Sequence, residues 1–317
     1  MKIFAILPCF NSTEMACFVA KECINYVDHV ICVDDNCPYG TGNTIKNSVK
    51  DEKITILYHK INKGVGGATK TGIKYALEKG ADIIVKIDSD GQMLPELIPK
   101  LLRPIINGNA EFTKGNRFKE IEIVRKMPKV RLLGNIGLSF LSKLSTGYWE
   151  LFDPTNGFLA IHQDVFKKIS LNKTDNRYFF ETDLLFRCSL SDVVIHEVTM
   201  SAIYKNEKSG LKPFAQMFNF LIRHILIFFK RILYQYFLLD FNPGSLSIII
   251  SFFLGLISIS IGSFYFIKGT ISNQETEFGI QILFLLLNII SSQFFINFIY
   301  YDSSQKPMLR KLKFLQN

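Results

Sequence analysis

Residues 82–93 read DIIVKIDSDGQM, an apolar run that ends in two aspartates, Asp88 and Asp90, with Gly91 and Gln92 directly behind them. Alternate residues of an extended segment point the same way, so both carboxylates can face one ligand. Like charges this close are costly unless a cation lies between or beside them. A hard divalent ion, Mg2+ or Mn2+, accepts carboxylate oxygens and keeps positions for substrate phosphates. An Asp-x-Asp pair alone also suits a solvated turn. Its place at the mouth of a strand favours a metal–diphosphate site.

The segments around this stretch set the fold class. KIFAILP (2–8), HVICVDD (29–35), ITILYH (54–59) and DIIVKID (82–88) read as strands, with a turn-rich segment at Pro38, Gly40 and Gly42. Helical patterns run from about Ser12 to Val27, from Gly66 to Lys79, and from Pro95 to near Asn107. Such alternation predicts an α/β fold with a mainly parallel sheet covered on both faces. Ligands on such sheets sit beyond the C-terminal strand ends. Each unusual polar cluster of this region lies at one of those ends: Asn11, Asp34–Asp35, Asn62–Lys63–Gly64 and Asp88–Asp90. Beyond it the pattern is less regular, with helices near 131–146 and 179–190 and strands at 157–162 and 192–198. GVGGATKT (64–71) misses both phosphate-loop and dinucleotide fingerprints, because Thr69 stands where each requires glycine. Its glycines either admit a ligand close to the backbone ahead of a helix N-terminus or form a plain strand-to-helix turn.

The chain has 317 residues, a net charge of +9 and 48% hydrophobic residues, with the apolar excess near the C-terminus. Phe241–Ile267 and Phe278–Tyr301 carry no charged residue. Each exceeds the ~20 residues that cross a hydrocarbon core, so they read as membrane helices at about 245–267 and 278–300 rather than as buried soluble helices. Residues 211–240 mix aromatics with Arg223, His224, Lys230 and Arg231 and suit helices lying in the membrane interface. Basic residues before the first span and in the tail after the second (302–317) place both termini in the cytoplasm. Ile3–Leu7, stopped by Pro8, is too short for a secretory signal, so residues 1–210 are expected there too. The positive charge fits anionic lipid better than nucleic acid. Six cysteines without a CxxC pair read as reduced structural thiols, and the five scattered histidines show no ligand spacing. Tyr148 and Trp149 suit packing better than sugar stacking.

ILPCFN (6–11), VDDNCPYGT (33–41), NKGVGGATKTG (62–72), KIDSDGQM (86–93), KGNRF (114–118), DPTNGFLAI (153–161) and ETDLL (181–185) fall in the order found in one known family. Over residues 3–210 the chain resembles family 2 glycosyltransferases of the GT-A fold, and within them the polyprenyl-phosphate glycosyltransferases and dolichol-phosphate mannose synthase relatives. The resemblance implies that Pro8, Phe10 and Asn11 line a nucleotide pocket, with Asp35 and Asp34 at the base or ribose and Lys63 and Gly67 skirting the nucleotide. It implies that Asp88 positions the nucleotide sugar, Asp90 with Asp88 holds Mg2+ or Mn2+, and Gln92 lies near a phosphate. Arg117 and Arg131 are expected at an acceptor phosphate, a task that suits a guanidinium fork. Asp153 is expected as the acceptor-side carboxylate, with Asn156 and Gly157 shaping its turn. Glu181 and Asp183 either act in catalysis or simply favour a helix N-terminus. At SAIYKNEKSGLK (201–212) Ile203 replaces an arginine of the family, leaving Lys205 or Lys208 to contact the diphosphate.

The implied reaction is an inverting, metal-dependent transfer from a UDP- or GDP-linked sugar to a polyprenyl phosphate at the cytoplasmic membrane face. Two alternatives stay open: extension of a lipid-diphosphate-linked saccharide in surface polysaccharide assembly, and a nucleotide-binding membrane component without transfer activity. A homo-oligomer is compatible with so small a membrane part. The expected layout is a catalytic domain at 1–210, interfacial helices at 211–240, a membrane hairpin at 241–301 and a basic tail.

Overall fold

Because their apolar side chains point to both faces, β1 (Ile3–Cys9), β2 (His29–Asp34), β3 (Ile54–Tyr58) and β4 (Ile83–Lys86) can only be satisfied inside a two-sided core. In the computed structural model, which describes residues 1–118, 129–200, 213–272 and 275–305, they form the parallel half of a seven-stranded sheet. The order is β3-β2-β1-β4-β6-β5-β7. β6 (Leu159–His162) runs antiparallel to both β4 and β5 (Phe112–Asn116), and β7 (Ile195–Thr199) pairs parallel to β5. Lys86 at the end of β4 therefore faces Leu159 at the start of β6. One edge of the sheet gathers the ends of β1 to β5 and β7 and the loop that enters β6.

Helices α1 (Thr13–Cys23) and α4 (Ile98–Ile106) cover one face, burying Ala16, Val19, Leu101 and Leu102 against Ala5, Leu7, Val85 and Ala160. On the other face α3 (Val65–Glu78) and α7 (Phe180–Ser189) bury Ile73, Phe180 and Leu184 against Phe4, Ile6, Ile84 and Ile161. Adjacent residues of β1 thus feed opposite cores, as the pleat requires. α2 (Thr41–Ser48), α5 (Lys129–Thr146) and α6 (Gln163–Lys168) complete the helices of this unit.

Three elements depart from expectation. α2 lies in the segment read as turns, because Gly40 at φ 62 supplies the turn and the helix starts at the next residue. α6 is a six-residue helix too short to show a period. β5 (FTKGN) escaped the alternation test because Lys114 and Asn116 are buried in it.

The chain divides into two compact units at 227/228, inside the segment assigned to interfacial helices. That segment is one helix, α8 (Pro213–Leu233), followed by a π-helical turn at Tyr234–Leu238. In the second unit α9 (Pro243–Ser272) and α10 (Phe278–Ser304) are long and apolar enough to cross a membrane. Ser251 and Ser291 each donate a hydroxyl to the other's carbonyl at 2.9 Å, clasping the hairpin. Arg231 forks onto Asp302 at 2.7 and 2.9 Å, and Tyr236 donates to the same carboxylate at 2.6 Å.

The glycines of α3 are explained by packing. A Cβ on Gly66 would lie 2.6 Å from the backbone oxygen of Asp175, and one on Gly72 would lie 2.5 Å from Ile6 Cγ2. Gly66→Ala is expected to destabilise the chain by about 1–3 kcal/mol, the usual cost of overpacking, seen as a lower melting midpoint in detergent. Gly134→Ala, whose methyl meets nothing within 4 Å inside a helix, is expected to hold or raise that midpoint.

Candidate active site

Lys86 is fully buried at the end of β4, and its ammonium sits between two carboxylates, Asp88 Oδ1 at 2.6 Å and Glu181 Oε1 at 3.1 Å. It also donates to the Gly157 carbonyl at 3.3 Å. Burial opposes the charge, but Asp88 and Glu181 outweigh it and hold the amine protonated above lysine's ordinary range. A cation beside Asp88 is therefore built into the strand. Gly157 is required here. A Cβ at that position would stand 2.4 Å from Asp88 Oδ2 and 2.5 Å from Lys86 Nζ.

One residue upstream a second cluster begins. Asp153, 1% exposed, receives Arg117 in a fork, Nε to Oδ2 at 2.8 Å and Nη2 to Oδ1 at 2.9 Å. Asn156 Nδ2 donates to Asp153 at 3.3 Å, and the Arg117 backbone amide donates to it at 3.2 Å. Glu197 on β7 receives the amides of Phe152 and Asp153, at 2.6 and 2.9 Å, and the side chain of Asn116. Lys114, buried in β5, donates to the Asn156 carbonyl. Burial pushes its pKa down to about 8, against the pull of Glu181 and Asp153. Beside this cluster opens a cleft of about 290 Å³ lined by Asn116, Phe118, Lys143, Glu150, Phe152 and Glu197.

On the expected nucleotide side most polar groups serve the scaffold. Asp34 receives the amides of Cys37 at 2.7 Å and Gly42 at 2.6 Å. Asp35 receives His59 Nδ1 at 2.6 Å and the amides of Lys63 and Gly64 at 2.9 and 2.7 Å. Both carboxylates are buried, so they shape the loops that were expected to touch a base or ribose. The Gly67 amide donates to the Asn176 carbonyl at 2.9 Å, which gives the glycine-rich turn a protein partner. Asn11 adopts φ 56 and donates its amide to Cys37 Sγ at 3.3 Å, while Phe10 beside it is exposed. The Pro8 carbonyl accepts from Ser89, the residue between the paired acids, at 2.8 Å.

Asp90 remains at the exposed turn, half-buried, where its Oδ1 accepts the Gln92 amide at 2.9 Å. Among the described residues no group of three or more His, Cys, Asp or Glu could hold a metal ion. The donors here are oxygens and few, which fits a hard cation that takes its remaining ligands from a diphosphate and water. The structure thus brings Asp88, Gln92, Asp90, Asp153 and Arg117 to one sheet edge. The side chain of Arg131 and all of Lys205 and Lys208 lie outside the described residues. Lys86 and Lys114 were missed by sequence reasoning, although each is a lone lysine inside a strand, a legible oddity. Asp183 accepts the Asp175 amide at 2.8 Å and pairs with Arg187 at 3.4 Å, a structural use.

The profile of glycosyl transferase family 2 matches residues 4–170. The UDP-N-acetylglucosamine–dolichyl-phosphate N-acetylglucosaminyltransferase of Methanococcus voltae is 34% identical over 242 residues, covering 72% of this chain and 96% of that one. The undecaprenyl-phosphate mannosyltransferase of Micrococcus luteus is 28% identical over 207 residues, 64% of this chain and 84% of its own. The structure of glucosyl-3-phosphoglycerate synthase from Mycobacterium tuberculosis, solved with Mn2+, UDP and glucosyl-3-phosphoglycerate, matches with a TM-score of 0.54 at 17% identity. It covers 73% of this chain and 79% of that one, a likeness of fold.

Lys86→Met leaves Asp88 and Glu181 without their shared cation and is expected to cost on the order of 3–5 kcal/mol, read as a fall in melting midpoint. Lys114 gives a pH signature. Its pKa of about 8 in the fold lies below the ~10.4 of a free lysine, so between those values the unfolded chain binds the extra proton and stability rises with pH. Lys114→Met is expected to remove that rise, checked by melting both proteins in steps from pH 7 to pH 10.

Proposed function

The chain belongs to glycosyl transferase family 2, is a glycosyltransferase and carries the GT-A fold, and from that premise we propose that it moves a sugar from a UDP- or GDP-linked donor to a polyprenyl phosphate. The observation that carries the choice of acceptor is the commitment of both candidate bases. Asp153 is forked to Arg117, and Glu181 is paired to Lys86. A sugar hydroxyl needs a carboxylate to accept its proton, whereas a lipid phosphate is already an anion at neutral pH. The names of the relatives from Methanococcus voltae and Micrococcus luteus, which specify dolichyl phosphate and undecaprenyl phosphate, support the same acceptor class.

In this reading the donor lies over the turns after β1, β2 and β4, with Asp88 directed at the sugar and held by Lys86. Asp90, with Gln92 next to it, would hold Mg2+ or Mn2+, which offsets charge on the departing nucleoside diphosphate. Arg117 receives the acceptor phosphate beside the cleft, and Asp153 is a positioning residue that fixes the guanidinium plane. Asn156 and Gly157 join the two halves, because one touches Asp153 and the other lies against Asp88. α9 and α10 cross the membrane with both termini in the cytoplasm, and residues 211–240 lie in its interface. The catalytic domain of residues 1–210 then works at the face where the lipid phosphate rests.

Membranes containing the chain, incubated with a panel of labelled UDP- and GDP-sugars and polyprenyl phosphate, are expected to yield an organic-soluble monosaccharyl phospholipid. EDTA and Asp90→Asn are each expected to reduce transfer at least about 100-fold, the scale on which removing one electrostatic stabiliser acts. Label appearing only in an oligosaccharide lipid, or transfer indifferent to EDTA, would overturn the reading. Asp153→Asn is expected to raise KM for the acceptor while leaving the shape of the pH–rate profile intact. Loss of the acidic limb of that profile would instead make Asp153 a base.

A further inference from the structure

Residues 175–177, just ahead of α7, lie across the glycine-rich turn that follows β3. A Cβ on Gly64, which has φ 85, would stand 2.6 Å from the Asn176 carbonyl oxygen and 2.9 Å from Arg177 Cγ. One on Gly66 would meet the Asp175 carbonyl, and the Gly67 amide is already given to the Asn176 carbonyl at 2.9 Å. These glycines therefore serve a close approach of chain to chain. The approach brings Arg177, which lies outside every motif of the family resemblance, to the turn at Lys63 and Gly64.

The cations around this segment divide into two kinds. Lys70 Nζ donates to the Thr174 carbonyl at 2.7 Å, Arg187 Nη2 donates to the Lys173 carbonyl at 2.5 Å, and Arg223 of α8 pairs with Asp175. Each of these three is spent on holding the segment in place. Arg177 and Lys63 are exposed, and among the described residues the side chain of neither makes a hydrogen bond or an ion pair. They flank Gly64, Lys63 preceding it in the chain and Arg177 packing against it. The carboxylates beside them are occupied. Asp35 accepts the Lys63 and Gly64 amides, and Asp175 takes Arg223 on one oxygen and the Arg177 amide, at 2.6 Å, on the other. Asp175 is itself anchored, its amide donating to Asp183 at 2.8 Å. A guanidinium on a backbone pinned in this way loses less freedom on binding than one on a loose segment, and its planar fork suits phosphate oxygens. With Ile203 in place of the arginine that the resemblance expects, positive charge toward a donor has to come from another residue.

Resting on the proposed nucleotide-sugar donor, we infer that Arg177, with Lys63 across Gly64, binds the nucleoside diphosphate of that donor, and that Asp175 is the residue that positions it. The full chain in detergent with Mg2+ is titrated calorimetrically with UDP and with GDP, at low salt and at about 1 M, where screening shortens to ~3 Å. Arg177→Gln is expected to weaken whichever nucleotide binds about tenfold at low salt, the size of one charge-assisted hydrogen bond. At high salt the loss should shrink to about twofold, because the contact is exposed. Arg177→Lys, which keeps the charge, is expected to retain most of the affinity. The melting midpoint of Arg177→Gln should match that of the parent chain. In transfer assays its KM for the donor should rise with KM for polyprenyl phosphate unchanged. Asp175→Asn is expected to weaken binding in the same sense but to add nothing in an Arg177→Gln background, since it acts through Arg177. Equal affinity of Arg177→Gln and the parent chain overturns the inference and leaves the donor reading standing. So does a loss that salt does not diminish, which makes Arg177 a shaper of the turn, and additive losses in the double variant remove the role of Asp175. A parent chain that binds neither nucleotide overturns the donor reading and the inference together. Arg177-dependent binding in a chain that transfers no sugar supports the inference and removes the proposed transfer instead.

Discussion

An ammonium buried at the end of a central strand cannot remain charged alone, because desolvation costs several kcal/mol per ion. Lys86 meets that constraint by drawing in Asp88 from the turn after β4, Glu181 from α7 and the Gly157 carbonyl from the loop before β6. Three segments distant in sequence are thereby fixed to one point. The absence of a side chain at Gly157 follows from the same crowding. Asp88 keeps 31% of its side chain exposed, so the cluster presents one oriented carboxylate to the sheet edge and buries the rest. Charge neutralised inside the protein is what allows that aspartate to be held in place before a ligand arrives.

The Arg117–Asp153 fork repeats the device with opposite emphasis. Here the carboxylate is buried and the cation is the partly exposed partner. A forked pair fixes the guanidinium plane through two parallel bonds, and Asn156 and Glu197 hold the carboxylate and the backbone around it. Across the edge of the sheet, then, one cluster offers an anion and the next a cation, each backed by a buried counter-charge. Such pairs contribute little net stability. Their value lies in orientation, which is what the proposed transfer demands.

The parallel half of the sheet was legible because β1 to β4 are nearly continuous apolar runs that end in turn residues. The candidate site was legible as a location, since Asn11, Asp34–Asp35, Lys63–Gly64 and Asp88–Asp90 stand at or just beyond the ends of β1 to β4. What stayed hidden was the use of individual residues. The resemblance implies Asp34 and Asp35 at a base or ribose, and sequence carries no record of the Gly42, Lys63 and Gly64 amides that they receive in the fold. β5 was hidden because the buried Lys114 and Asn116 break the apolar run that would have marked a strand. The helix at 129–146 was readable, but its orientation was not. Leucines and a phenylalanine among serines predict an apolar face turned inward, whereas Leu133 and Phe140 are exposed and Ser142 and Ser145 buried.

The second unit, whose two helices are long and apolar enough to cross a membrane, meets the same accounting rule. In hydrocarbon every backbone group must be satisfied within its helix, and side-chain polar groups must find partners between helices. Ser251 and Ser291 do so reciprocally, and Asn288 donates to Ser258 at 2.5 Å. Gly262 leaves room for Phe284, whose ring carbon would lie 2.5 Å from an added Cβ. These contacts set the register of α9 on α10 where apolar side chains alone would permit sliding. The Arg231–Asp302 fork then ties the segment before α9 to the end of α10, with Tyr236 closing the carboxylate. The entry to α9 and the end of α10 are thus pinned together. Polar pairing along the hairpin and at the Arg231–Asp302 fork gives these two apolar helices a fixed register and a fixed base.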